Sequence, residues 1–238
     1  MSIITERLKS LSQEKNSWIR GEKMSLPETR VEIQDIGILE KITQPKSYFD
    51  ENQHVFYAVS KVVRNAFGKD LDMEDIYQHL TKPDEVFLLR NFQDKVIAMR
   101  SHSRVSLSGV PSVVLDGAAI GPDYHGRGIY GLLLSEIEGS ERVMCLRTQN
   151  PRIYASLNSY CRKVFPNYRE TPKDIRNLLN SFANYLNCEV DSNFVIRGYY
   201  GGLFYGEEPT HEKFSLLFKE KLKMDLSKGD AVLLAGVR

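Results

Sequence analysis

Cysteine, net charge and long apolar runs are all scarce in this chain. Its three cysteines, Cys145, Cys161 and Cys188, show no CxxC spacing, so neither a disulfide framework nor a zinc site is indicated, and a reducing cytoplasm fits best. The 32 basic and 31 acidic residues leave a formal net charge of +1. A protein that tracks a phosphate backbone ordinarily carries a basic excess, so nucleic acid is not an expected partner. No uncharged apolar run approaches the roughly 20 residues of a membrane-spanning helix, so a membrane is not expected either. The start, MSIITERLKSL, mixes charge into its first residues and lacks the apolar core of a secretory signal. Neither Cys145 nor the five histidines show a spacing that suggests a metal site or a nucleophilic triad. What remains is an ordinary globular composition, 42% hydrophobic and 26% charged over 238 residues, which is enough for one domain with a sizeable core.

The apolar pattern divides the chain into three parts. Residues 1 to 28 carry a thin stripe of Ile3, Ile4, Leu8 and Leu11 and read as a peripheral short helix and loop. Residues 29 to 165 form the expected core. Val31 to Ile38 alternates imperfectly as a strand, and Asp50 to Phe67 has Val55, Val59, Val62 and Val63 at helical spacing before Gly68. A shorter helix is expected over Met73 to Leu80. Glu85 to Arg90, Lys95 to Leu107 and Ser112 to Ile120 read as three strands of an antiparallel meander. A helix from Ile129, a strand over Arg142 to Thr148 and a helix over Asn150 to Val164 follow. Residues 166 to 238 form an α-rich extension of the same domain, with helices over Lys173 to Leu186 and His211 to Met224 and a closing strand, AVLLAGV. The fold class is α/β, a mixed and mostly antiparallel sheet flanked by helices.

The meander ends in AAIGPDYHGRGIYGLLLSEIE, Ala118 to Glu138, which nearly matches several phosphate-binding patterns. As a P-loop it fails in chemistry. Arg127 replaces the lysine that reaches the outer phosphates, and Gly128 stands where a magnesium-binding hydroxyl belongs. As a dinucleotide fingerprint it has GxGxxG at Gly126, Gly128 and Gly131, but Gly121 to His125 separate those glycines from the strand. The acidic residue due about 20 positions on falls near Thr148 and Gln149, and the upstream strands are antiparallel. A pyrophosphate nest fits better: a strand, a short turn, then free backbone amides at a helix start, with glycine allowing close approach.

The run Ile120 to Leu134, I-G-P-D-Y-H-G-R-G-I-Y-G-L-L-L, resembles the acetyl-CoA signature of the GNAT N-acetyltransferases, [QR]-x-x-G-x-[GA] behind an apolar strand and a proline. The element order over roughly residues 30 to 165 is similar as well. His125 stands where that family usually has Gln or Arg, and Tyr130 where it has a small residue. The resemblance implies acetyl-CoA as co-substrate and no metal. It places pantetheine contacts at Ala119 and Ile120 and pyrophosphate contacts at His125, Gly126, Arg127, Gly128, Ile129, Tyr130 and Gly131. Asn150 is either a pantetheine contact or a helix N-cap.

Acetyl transfer to a small-molecule or peptide amine needs a base for the amine and an acid for the leaving thiolate. By the resemblance, the base is a carboxylate on the strand before the turn, where Asp116 is the only one. Asp116 reads equally as a solvent-facing carboxylate or one that satisfies the turn at Gly117. The family's acid, a tyrosine seven residues past the helix-initial Asn, falls on Leu157 here, which leaves Tyr154 and Tyr160, three residues to either side, as substitutes or as core tyrosines. RGYYGGLFYGEEP, Arg197 to Pro209, reads either as an acceptor pocket, with Glu207 and Glu208 attracting a cationic amine, or as an aromatic edge strand. The implied activity is N-acetyl transfer, with a non-catalytic acyl-CoA sensor or interaction module as the alternative.

Overall fold

The computed structural model describes residues 26–137 and 139–238, and the short helix expected within residues 1 to 28 lies outside them. The sheet opens with a hairpin, β1 (Thr29–Ile33) and β2 (Gly37–Ile42). The sequence suggested one strand here. Asp35 (φ 60°) and Gly37 (φ 151°) reverse the chain instead, and Ile36 N donates to Ile33 O. Next come α1 (Pro45–Glu51), α2 (Gln53–Phe67) and α3 (Met73–Thr81). The single helix expected over Asp50 to Phe67 is split at Asn52, whose backbone (φ −118°, ψ 55°) leaves the helical range and whose Nδ2 donates back to Tyr48 O at 2.9 Å. Gly68 (φ 61°) closes α2 in the left-handed conformation, as glycine favours at a helix end. Asp72 caps α3 by accepting from Glu74 N at 2.8 Å.

Strands β3 (Glu85–Arg90), β4 (Val96–Leu107) and β5 (Val110–Ile120) form the expected antiparallel meander. A 3-10 turn at Pro122–Tyr124 and a glycine-rich turn lead into α4 (Ile129–Ser135), followed by β6 (Val143–Thr148) and α5 (Pro151–Tyr160). The helix expected to run to Val164 stops at Cys161 (φ −99°, ψ 151°), and β7 (Lys163–Phe165) begins a new strand. The extension supplies α6 (Lys173–Tyr185), a two-residue strand β8 (Val195–Ile196) and β9 (Ala231–Val237). In place of a full helix over His211 to Met224 there is a short helical stretch containing a π-turn at Leu217–Lys221.

The sheet order is β1-β2-β3-β4-β5-β6-β9-β7, with β8 also on β9. All pairings are antiparallel except β5 with β6. Strand β9 enters between β6 and β7, so the extension completes the sheet. One face is covered by α1 to α3 near β2 to β5, and by α6 near β9, through buried residues such as Phe49, Val59, Leu179 and Phe182. The other face is covered by α4 and α5, through Ile129, Leu133, Tyr154 and Leu157. Each fully buried apolar side chain of this size contributes about 1.5–3 kcal/mol. No helix among the described residues is long and apolar enough to cross a membrane.

The hairpin constrains its neighbour closely, because a Cβ built on Gly37 would lie 1.8 Å from Arg90 O. That oxygen is backbone and cannot swing aside. Gly37→Ala is expected to force β2 and β3 apart at a cost of about 2 kcal/mol or more, seen as a fall of about 5 °C or more in the thermal unfolding midpoint.

Candidate acyl-transfer site

The site begins where the sheet comes apart. β5 and β6 pair only over Ser112–Val143, Val113–Met144 and Val114–Cys145. Beyond Val114, β5 stays on β4 while β6 stays on β9 as far as Thr148, so the two strands separate in the middle of the sheet. The cause lies in β5. Ser101 pairs with Gly117 and His102 with Leu115, which leaves Asp116 as an extra residue, a β-bulge. Bulges bend their strand and increase its twist, and they re-aim side chains. The residues that follow, Gly117, Ala118 and Ala119, are small.

The separation leaves a free backbone edge. Gly121 N donates to Ile97 O at 2.8 Å, which makes Ala98 and Ile120 a non-hydrogen-bonded pair in the antiparallel ladder. Ile120 and, two residues back, Ala118 therefore turn their amide groups away from β4 and into the gap. Ala119, expected as a pantetheine contact, instead pairs its backbone with Met99 of β4. It offers the gap only its place in the wall.

At the end of this edge stands the glycine-rich turn. Gly126 (φ 76°) and Gly128 (φ 72°) both adopt the left-handed conformation, which glycine enters without strain. A Cβ at Gly126, Gly128 or Gly131 would meet nothing within 4 Å, so the space above the turn is open. The first backbone bond of α4 runs from Leu132 N to Gly128 O at 3.0 Å. The amides of Ile129, Tyr130 and Gly131 precede it and, with Gly126 to Gly128, are free to face an anion. The His125 ring is bonded through Nε2 to Ile120 O at 2.9 Å, so it caps the end of β5. The Arg127 guanidinium lies 5.2 Å from the centre of the Tyr124 ring.

A cavity of about 300 Å³ occupies the gap between β5 and β6. Asp116 is in its wall, on the side of α3, where Ser103 Oγ donates to Asp116 Oδ2 at 2.7 Å. Burial raises the Asp116 carboxyl above its usual range, with Ser103 and the charges of Arg147 and His79 opposing. The roof comes from the extension: Tyr199, Tyr200, Phe204 and Tyr205 all line the cavity. The RGYYGGLFYGEEP segment is thus a folded aromatic loop and not an edge strand. Gln149 holds it, with Oε1 accepting from Phe204 N at 2.8 Å and Nε2 donating to Leu226 O at 2.9 Å. Lys69 Nζ donates to Leu203 O at 2.7 Å from the loop that follows α2. Burial pushes the Tyr205 hydroxyl up to about 12, while hydrogen bonds from Asn150 and Thr148 pull the other way. Tyr130, from the first turn of α4, also lines the cavity, and burial pushes its hydroxyl up to about 12 as well.

Three other expected site residues, Asn150, Tyr154 and Tyr160, do not line the cavity. Asn150 is the N-cap of α5, accepting from Arg152 N at 2.9 Å. Tyr154 is buried in the core and donates to Pro166 O at 3.1 Å. Tyr160 accepts from Arg238 Nη2 at 3.0 Å. Neither tyrosine is among the residues that line the cavity. The tyrosines of Arg197 to Pro209, Tyr205 among them, line the cavity as one of the two sequence readings of that segment had it; sequence reasoning passed over Gln149 and Arg100, a buried cavity-lining arginine on β4. Only Arg100 left a signal, a charge inside the apolar run VIAMR. No group of three or more His, Cys, Asp or Glu residues arranged to hold a metal occurs among the described residues.

No family model and no curated protein matches the sequence. Solved structures do match. The ribosomal-protein-S18-alanine N-acetyltransferase from Escherichia coli is 14% identical, over 84% of this chain and 93% of its own, with a TM-score of 0.48. An IAA acetyltransferase from Bacillus cereus is 14% identical, over 84% of this chain and 98% of its own, with a TM-score of 0.45. A GNAT-family N-acetyltransferase from Escherichia coli in complex with CoA is 16% identical, over 44% of this chain and 65% of its own, with a TM-score of 0.36. The fold resembles that of the GNAT N-acetyltransferases.

The ionisation of Asp116 bears on stability. A carboxyl whose folded-state pKa is raised stabilises the fold only while protonated. That contribution is full below the unfolded-state pKa and is lost as pH rises through the folded-state value. Asp116→Asn keeps an acceptor for Ser103 and removes the buried charge. The variant is expected to unfold at a higher temperature than the parent at pH 7 to 8, with the difference vanishing in acid below the ordinary carboxylate range. Equal melting temperatures at both pH values would contradict the burial argument.

Proposed function

We propose that this protein is an acyl-CoA-dependent N-acyltransferase that moves an acyl group, acetyl in the simplest case, directly to a primary amine. The observation that carries the reading is the continuity of three parts. The glycine turn with free amides, the free edge of β5 and the cavity with Asp116 lie end to end. A pyrophosphate fits the first, the amides of a pantetheine arm fit the second, and a thioester with its amine fits the third.

In this reading the residues divide the work by position. The amides from Gly126 to Gly131 hold the pyrophosphate by hydrogen bonding. With α4 only seven residues long, the helix dipole adds little beyond those groups. Ala118, and Ile120 through its N–H since its carbonyl is held by His125, pair with the pantetheine arm along this edge. The amine enters from the side of α3, where Asp116 takes its proton directly or through water; the raised carboxyl is a better base than an ordinary aspartate. The amine nitrogen attacks the thioester carbonyl, the C–S bond breaks, and the thiolate takes a proton. Tyr205 is placed for that donation, since its hydroxyl stays protonated at neutral pH and reaches the end of β6 beside Asn150. Holding both reactants in one small cavity supplies much of the rate through orientation. Leu157 at the family's tyrosine position favours the alternative of a non-catalytic sensor, and turnover separates the two.

Acetyl-CoA is expected to raise the melting temperature of the protein, and the pair Gly126→Val with Gly128→Val to remove that shift while the protein remains folded. A folded parent that shows no shift with acetyl-CoA or CoA would refute the binding claim. In a thiol-release assay over a panel of amines, Asp116→Asn is expected to lower kcat by about 10²–10⁴, with acyl-CoA affinity held. Tyr205→Phe should lower kcat while affinity is likewise kept. Activity in Asp116→Asn equal to that of the parent would remove Asp116 from the mechanism. Binding with no thiol release for any amine would favour the sensor.

A further inference from the structure

Arg100 is the largest fully buried side chain among the described residues, with no exposed surface. None of its three guanidinium nitrogens, Nε, Nη1 and Nη2, has a hydrogen-bond partner among the described residues. Such a group is costly to bury unless something pairs with it. The Phe87 ring lies 5.2 Å from the guanidinium carbon and supplies no anion, while Tyr130, Tyr160, Glu85 and Glu136 act on the charge without hydrogen-bonding to it. Glu85 on β3 is already engaged, with His102 at 3.3 Å, Arg104 at 3.2 Å and Lys41 at 3.6 Å. Burial pulls the Arg100 pKa down to about 10, so it remains charged at neutral pH.

Its position in the sheet says which ligand group it meets. Arg100 pairs across the ladder with Phe87 and Ala118, and Phe87 belongs to the cluster under α4 with Ile129 and Leu133. Arg100 therefore lies on the face of the nest and Tyr130, while Asp116 and Ser103 lie toward α3. It borders the cavity at the gap. A neutral thioester carbonyl offers one acceptor oxygen and no charge. A carboxylate offers two oxygens to the planar fork and a full counter-charge.

Building on the acyl-CoA reading, we infer that the acyl group this site takes carries a terminal carboxylate, as in a short dicarboxylic acyl thioester, and that Arg100 pairs with it. The reaction is otherwise the same transfer: the amine nitrogen bonds the thioester carbon, the C–S bond breaks, and the carboxylate leaves with the amide product, unchanged. Arg100 is then a specificity-determining residue that contacts the donor.

The test compares succinyl-CoA with butyryl-CoA, which has the same chain length and no carboxylate, by calorimetric binding to the full chain and by thiol release with the amine panel. The parent is expected to prefer succinyl-CoA by about tenfold or more in affinity, because a buried donor left unpaired disfavours the neutral analogue. In Arg100→Met the preference should fall to about one or reverse. The free Arg100→Met protein should also melt above the free parent, since an unpaired buried charge is gone. Equal or weaker binding of succinyl-CoA by the parent overturns the inference and leaves the acyl-CoA reading standing, and that comparison needs no variant. Failure of CoA and of both thioesters to bind the parent overturns both. A succinyl preference that persists in Arg100→Met overturns the assignment to Arg100.

Discussion

A sheet that separates in its own interior is the constraint on which the rest of this structure depends. Edges normally lie at the outside of a sheet, where water or a cover satisfies them. Here the bulge at Asp116 ends the pairing of β5 with β6 after three residues, and backbone groups of Ala118 and Ile120 are left facing a gap in the middle. The strands could not separate if β6 lacked a second partner, and the extension supplies it, since β9 pairs with β6 from Val143 to Thr148. The roof of the gap comes from the same segment of chain. Residues 199 to 205 fold over it, and Gly229 lies so close beneath that a Cβ there would stand 2.4 Å from Gly202 N. The extension thus holds the gap open from one side and covers it from above.

Closing the gap to water gives its polar groups their character. Asp116, Tyr130, Tyr205 and Arg100 all have their pKa values moved toward the neutral form, and in each case burial is the leading cause. A cavity that desolvates carboxylate, phenols and guanidinium together is unfavourable for the free protein and useful for one that binds a polar ligand, because the ligand regains what water lost. The hydrogen bonds that remain are positional. Ser103 fixes Asp116, and Gln149 fixes the backbone of the aromatic loop. In the proposed reading, groups fixed in place before the ligand arrives need no reorganisation to act on it.

The sequence was most informative where local periodicity and turn chemistry agree. The meander from Glu85 to Ile120, the closing strand and the glycine turn follow from alternation and from Gly126 and Gly128, and the structure has them within a few residues of their expected bounds. Breaks that depend on single residues were less legible. Asn52 splits one helix because its side chain competes for a backbone carbonyl, and Cys161 ends another because β9 offers residues 163–165 a ladder. Neither event has a glycine or proline to announce it. The bulge at Asp116 was also hidden, since an extra residue in a strand shows only once its partner is known. For the candidate site, the position of Asp116 beside the turn and the left-handed glycines of the turn itself were readable from the sequence. The tyrosines of Arg197 to Pro209 were offered as the lining of a pocket and do line the cavity, whereas Gln149 and Arg100 were not read, because they reach it from a distant part of the chain or from a strand face that only the pairing register defines.

The missing tyrosine is where local and long-range information part most clearly. Position 157 lies in the part of α5 that meets β9, where Leu157 is fully buried and a Cβ on Gly236 would come within 3.1 Å of it. A phenol there would have to displace that contact or bury its hydroxyl against the sheet. Tyr154, one turn earlier, has its hydroxyl committed to Pro166 O, and its ring packs on Phe214 at 4.7 Å. Helix α5 is thus built as a core element, tightly seated on the strand the extension inserted. The same extension carries Tyr205 to the end of β6, beside the residue that begins α5. In the proposed reading the hydroxyl comes from this loop and not from the helix, and the close packing of α5 against β9 and the aromatic roof are two consequences of one insertion.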